Sequence, residues 1–259
     1  MTVLLCDVGR HGRLDLTFTS RRGETAIRDS YCEVPFKITR LHNSPSAGIA
    51  HLILMHCTAG LFGGDVLECA IQVEPGARVL VTQQSATKVH PAGGRRAIQR
   101  SRIRVEAGGE LHIYNDPIIP FAESALSQTT LIDIDKGSRL YFWESLMAGR
   151  IGHGEAWQFD EFSSDTCLRL HGQMLYLDRF RLMPRHDPPT GEWTMARARY
   201  MATGLCFDDR TDLAERLHQL MPMAGVDEPA PGLVVARVAV DDGLNFHFCR
   251  AAFTSATLP

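Results

Sequence analysis

One short pattern returns three times between Gly60 and Glu155 at nearly constant spacing. Val73-Glu74-Pro75-Gly76-Ala77-Arg78-Val79-Leu80, Val105-Glu106-Ala107-Gly108-Gly109-Glu110-Leu111-His112 and Ile134-Asp135-Lys136-Gly137-Ser138-Arg139-Leu140-Tyr141 each read as strand, acidic turn, glycine, strand. The turn glycines Gly76, Gly108 and Gly137 stand 32 and 29 positions apart. A period of this length, carried by alternating apolar residues instead of helical spacing, is that of stacked β-coils whose neighbours bury each other's apolar face. Glycine suits the turn because a positive φ strains any residue that bears a side chain.

The rest of the chain reads in the same style. Leu14, Leu16 and Phe18 alternate with Asp15, Thr17 and Thr19 as a strand with one buried face, which Arg21-Arg22-Gly23 turns back. Tyr31 to Leu41 is a second β-like run, with Pro35 suited to an edge or corner. His42 to Gly48 reads as a loop, and Ile49 to His56 as a strand leading into the glycine cluster. Leu168, Leu170, Leu175 and Leu177 around Gly172 predict a hairpin within Trp157 to Arg181. Pro184 to Gly191 is an exposed loop without a change of composition, so it marks no domain boundary. Asp208 to Asp212 followed by Leu213, Leu217, Leu220 and Met221 predicts an amphipathic helix with an acidic start. A loop over Gly225 to Gly232 and a strand over Leu233 to Val240 follow. The expected fold is mainly β, with β-helix-like stacked coils and sheets, a small helical part near the C-terminus, and one β-rich domain over residues 1–259.

Charge and composition narrow the function. With 27 basic and 30 acidic residues in 259 and no polybasic stripe, neither nucleic acid nor a membrane surface is an expected partner. The longest apolar runs are strand-length and no leader pattern opens the chain, which predicts a cytoplasmic protein. Seven scattered cysteines without a CxxC pair read as small buried hydrophobes in a reducing compartment. Eleven dispersed histidines form no HxH or HExxH spacing. Gly149 to Gly154 has GxxxxG spacing, but Glu155 stands where a phosphate loop needs lysine, so any GTP-driven step belongs to a partner. Gly63-Gly64-Asp65 and Gly152-His153-Gly154 read as tight turns, and Lys88 is expected to pair with an acid from a neighbouring coil. No GxSxG elbow occurs.

Taken in order, Gly12 to Leu16, Arg21 to Thr25, Gly60-Leu61-Phe62-Gly63-Gly64-Asp65, Thr82 to Val89, Asp116-Pro117, Trp143-Glu144, Gly149 to Glu155 and Leu177-Asp178-Arg179 form a set that resembles the urease accessory protein UreD family, also called UreH. The resemblance implies a β-helix-like fold and a non-enzymatic assembly factor. It would bind the urease apoprotein and the helical accessory protein UreF, and through UreF the GTPase UreG. It also implies nickel passing transiently through the interior, with no tightly bound cofactor. Carried over residue by residue, Asp65, Glu144, Glu155 and Asp178 become the acids of a nickel path, Asp65 and Glu144 foremost. Carboxylates suit that task because they release the ion more readily than thiolates or a histidine cage. Salt bridges to Arg150, Arg179 or Lys88 are the plainer reading of the same acids. The motif residues Gly63, Gly64, Thr82, Lys88, Gly149, Arg150 and Gly154 shape the turns, and Leu213, Leu217 and Met221, with the segment Phe246 to Phe253, offer a docking face. Phe246 and Phe248 alternate like a strand, but the family has a helix there, and helix is the reading taken. A β-helical hydrolase or lyase using paired carboxylates, and an adaptor with a solid, metal-free interior, are the alternatives.

Overall fold

Gly76, Gly108 and Gly137 all adopt positive φ, at 76°, 78° and 80°. They also stack: the Gly76 N–H donates to Gly108 O at 3.1 Å and the Gly108 N–H to Gly137 O at 3.0 Å. This column of corners sets the register of a computed structural model that describes residues 9–44, 48–189, 191, 195, 197–210 and 212–258. The strands are β1 (His11–Arg21), β2 (Glu24–Cys32), β3 (Phe36–Ile38), β4 (His42–Ser44), β5 (Ile49–His56), β6 (Val66–Val73), β7 (Arg78–Gln83), β8 (Thr87–Val89), β9 (Ala97–Val105), β10 (Glu110–Tyr114), β11 (Ile118–Pro120), β12 (Ala125–Ile134), β13 (Arg139–Met147), β14 (Glu161–Leu170), β15 (Gln173–Leu182), β16 (Tyr200–Phe207), β17 (Ala224–Ala230) and β18 (Leu233–Val240). Helices α1 (Leu213–Leu220) and α2 (Gly243–Thr257) complete it.

Each glycine corner carries the chain from one sheet to the other: β6 to β7, β9 to β10 and β12 to β13. The first sheet runs β15-β14-β12-β9-β6-β1-β2 and the second β17-β18-β16-β13-β10-β7-β5-β3, with β4, β8 and β11 attached to the second. Successive coils pair in parallel, Val73 with Val105 and Val105 with Ile134 in the first sheet, Arg78 with Glu110 and Glu110 with Arg139 in the second. Alternation then sorts the side chains. Leu14, Phe18, Leu111, Ile132, Leu140, Phe142 and Leu168 fill the space between the sheets. Tyr114, Tyr141, Trp143, Cys206, Leu213, Leu217, Phe246 and Phe253 form a second core between the far face of the second sheet and the helices.

The hairpin at Gly172 forms as expected, β14 and β15 joined through His171 and Gly172 at φ 51° and 78°. The C-terminal segment is helical, with the Asp242 carboxylate accepting the Asn245 N–H at 2.8 Å as its cap. Four expectations change. His42–Ser44 is a strand, not part of a loop, because it pairs with β5; residues 45–47 lie outside those described. Gly225 to Gly232 is largely β17, paired antiparallel with β18 with an irregular register between Asp227 and Ala230 that accommodates Pro229. Asp212 precedes α1 without a side-chain capping bond. Among the six described cysteines only Cys206 and Cys249 are buried, while Cys32 and Cys57 are exposed; Cys6 lies outside the described residues. No helix among the described residues is long and apolar enough to cross a membrane.

Candidate functional site

The inward row of β13 reads Leu140, Phe142, Glu144, Leu146: three core side chains and one acid. The same register leads from Glu144 to Thr203 on β16 and Arg237 on β18. On the facing sheet, Gln128 of β12 pairs with Ser164 of β14, and Thr130 of β12 leads through Thr166 to Asp178 of β15. A polar layer thus crosses an otherwise aliphatic interior, and it surrounds a cavity of about 310 Å³ whose walls include Glu144, Asp178, Gln128, Ser164, Thr203 and Arg237.

Glu144 is fixed from the opposite sheet. Thr166 Oγ1 donates to its Oε1 at 2.9 Å and Gln128 Nε2 donates to its Oε2 at 2.8 Å. Glu144 is half-buried, and it forms part of the cavity wall. Burial pushes its pKa up to about 7; the Thr166 and Gln128 hydrogen bonds pull the other way, and the Asp178 charge adds to the rise. Asp178 sits directly across from Thr166, on the strand next to it, so the two acids flank one threonine. Arg237 Nη2 lies 3.0 Å from Asp178 Oδ2 and donates to Tyr176 Oη at 2.8 Å. Apart from this ion pair, Asp178 Oδ2 has no hydrogen-bond donor among the described residues. The arrangement offers two carboxylates and several hydroxyls to a small polar or cationic guest. Among the described residues no three His, Cys, Asp or Glu side chains converge as a closed metal cage.

Of the four acids singled out from sequence, the fold brings together Glu144 and Asp178 and sends the other two elsewhere. Asp65 is a turn organiser: its Oδ1 accepts the Arg10 N–H at 2.9 Å and its Oδ2 the Phe62 N–H at 2.8 Å. Glu155 clamps Arg150, whose Nε donates to Oε2 at 2.7 Å, and accepts the Ala122 N–H at 3.3 Å. The Arg150 hydrogen bond is what lowers the Glu155 pKa. Neither acid lines the cavity. Lys88 is exposed and forms no ion pair among the described residues, so the expected acid partner is absent; solvent satisfies its charge instead. Thr82 Oγ1 lies 2.8 Å from His51 Nε2. A side chain on Gly63 would meet Ala92 O at 1.9 Å and one on Gly149 would meet Glu155 O at 2.2 Å; Gly64 and Gly154 have φ of 89° and 74°. Leu213, Leu217 and Met221 are buried in the second core and present no face to a partner, because the apolar stripe of α1 is used by α2 and the sheet. The exposed large apolar residues at this end are Leu220 and Met223 beside α1 and Leu244 and Phe248 on α2, the last two with 82% and 51% of their surface accessible, while Phe246 and Phe253 are buried.

Sequence reasoning overlooked Gln128, Thr166, Thr203, Tyr176 and Arg237. The signal was present: each falls at the inward phase of its strand, a row that elsewhere carries core residues such as Leu126, Ile132, Phe162, Leu168, Phe180, Leu205 and Val235.

Residues 10–256 match the family described as UreD urease accessory protein. The chain is 33% identical over 182 residues to a urease accessory protein UreD of Halalkalibacterium halodurans, covering 70% of this chain and 67% of that one. It is 31% identical over 177 residues to the UreD of Acetivibrio thermocellus, covering 68% of each chain. The UreD of Deinococcus radiodurans is 32% identical over 176 residues, covering 68% of this chain and 63% of its own length.

Proposed function

This chain belongs to the UreD family of urease accessory proteins, and from that we propose that it is a non-enzymatic scaffold for delivering nickel to the urease active site. It engages the urease apoprotein in the cytoplasm, joins the helical accessory protein UreF, and through UreF meets the GTPase UreG. Nickel is cargo here, not a resident cofactor. Glu144 and Asp178 are its transient contacts within the chain, and Asp65 and Glu155, being engaged in turns, are not.

The observation that carries this reading is the polar layer around the 310 Å³ cavity, in an interior that alternation would otherwise fill with hydrocarbon. Burying several polar groups opposes folding unless they are partnered, so such a layer is more readily understood as a site than as a core. An adaptor with a solid interior has no use for it. Two carboxylates with threonine and serine hydroxyls hold a divalent ion loosely, as a relay requires.

The test is co-expression of Glu144→Gln and Asp178→Asn variants with urease and its accessory proteins. Nickel content of purified urease and co-purification of the variant with its partners are measured together. Reduced nickel with intact co-purification is expected. Wild-type nickel loading by both variants would overturn the cavity path.

A further inference from the structure

Arg237 is an unusual residue for its place. It continues the inward row of Glu144 and Thr203, and the preceding members of its own row, Leu233 and Val235, belong to the core. Yet 53% of its side-chain surface reaches solvent, whereas its partner Asp178 keeps only 11%. The guanidinium therefore stands where the cavity meets the outside. It reaches from β18 in one sheet to Asp178 and Tyr176 of β15 in the other, closing the gap between the two sheets at that point.

We propose that Arg237 is the gate of the cavity, a built-in cation that occupies Asp178 until a divalent ion displaces it. The inference rests on the reading above that a metal ion enters this cavity. Guanidinium does not lose its proton, so Asp178 is released only by exchange of one positive charge for another. The geometry favours exchange. The contact is a single-nitrogen ion pair, not a two-point clamp, and the half-exposed arginine has a solvated position to swing into. An arriving divalent ion gains both Asp178 and Glu144, whereas Arg237 contacts only Asp178 of the two. Once displaced, Arg237 also leaves the Tyr176 hydroxyl, and the seam between the sheets opens. The gate thus passes divalent cations in preference to neutral solutes, which cannot displace it. Arg237 is a positioning residue and takes no part as a metal ligand.

The experiment is nickel titration of the full-length purified chain by calorimetry, comparing wild type with Arg237→Gln, Tyr176→Phe, Glu144→Gln and the Arg237→Gln/Glu144→Gln double variant. Removing the competing cation should tighten nickel binding about two- to fivefold, the range set by a partly exposed ion pair. Tyr176→Phe, which removes only the second anchor of Arg237, should tighten it less. Glu144→Gln should weaken binding in both backgrounds. Thermal unfolding of each variant is read alongside, because a merely structural ion pair would lower the melting temperature without changing nickel affinity. Unchanged affinity in Arg237→Gln and Tyr176→Phe, with Glu144→Gln weakened, overturns the gate and leaves the cavity path standing. If Glu144→Gln binds nickel as wild type does, the cavity path itself fails. Should Arg237→Gln not fold, Tyr176→Phe decides the matter alone.

Discussion

Replacing Glu144 with glutamine should stabilise the folded chain in mild alkali and leave it unchanged in mild acid. The unfolded carboxyl titrates near 4.5 and the folded one at about 7, raised by burial. Between those values the folded chain keeps a proton that the unfolded chain has released, so the unfolded state binds fewer protons and stability falls as pH rises. The contribution is fully present below about pH 4.5 and is lost by the time pH has passed about 7. At 1.36 kcal/mol for each tenfold change, that difference sets a ceiling of about 3 kcal/mol, lowered to about 1–2 kcal/mol by water inside the cavity. The amide keeps the shape of the protonated acid, its oxygen still accepts from Thr166, and its NH2 donates to Gln128 once that side-chain amide turns over to present its oxygen, so it carries the same packing with no charge to desolvate. Urea unfolding at about pH 5 and about pH 8.5 measures both limits. Wild-type and variant curves that run parallel across this interval would show that the Glu144 carboxylate is well solvated, and the account of it as desolvated in the cavity wall would be wrong.

Three further outcomes follow from the geometry. Asp65→Ala strands the Arg10 and Phe62 amide groups and should destabilise the chain by about 2–4 kcal/mol, visible in its melting temperature. A stable variant with impaired nickel transfer would instead restore Asp65 to the metal path. Gly149→Ala places a methyl group 2.2 Å from Glu155 O at a φ of 137°, which should cost at least about 2–4 kcal/mol; soluble expression at wild-type stability would contradict that contact. Arg210→Ala removes the cation that donates to Asp208 and Tyr141 and approaches Ala256 O at 3.5 Å. Faster amide exchange in the last turn of α2 is expected, and unchanged exchange would mean the helix is fastened by its apolar face alone.

The glycine corners and the coil stack were legible because turn chemistry and alternation act locally, at Gly76, Gly108 and Gly137. The cavity was only half legible. Glu144 and Asp178 are 34 positions apart and belong to facing sheets, so no spacing rule joins them; they meet because both sit at the inward phase of their strands. Tracking that phase through Gln128, Thr166, Thr203 and Arg237 would have revealed the layer, though not the volume it encloses. Leu213, Leu217 and Met221 misled for a related reason. An apolar helical stripe records that something covers it, and here α2 of the same chain does. Lys88 shows the opposite limit, since a strand alternates its faces and a lysine at the outward phase needs no partner beyond water.

The seven-stranded sheet ends at both margins in a strand that runs against its neighbour, β2 beside β1 and β15 beside β14. A parallel stack has no inherent stopping point, because its last rung offers the next copy the same open ladder that every earlier rung offered. These reversed strands terminate the ladder, and Arg28, Asp29, Arg179 and Arg181 leave charge along the margins. Cutting away β15 should therefore do more than remove one wall of the cavity: it would expose a growing tip and turn a discrete molecule into a seed for filaments.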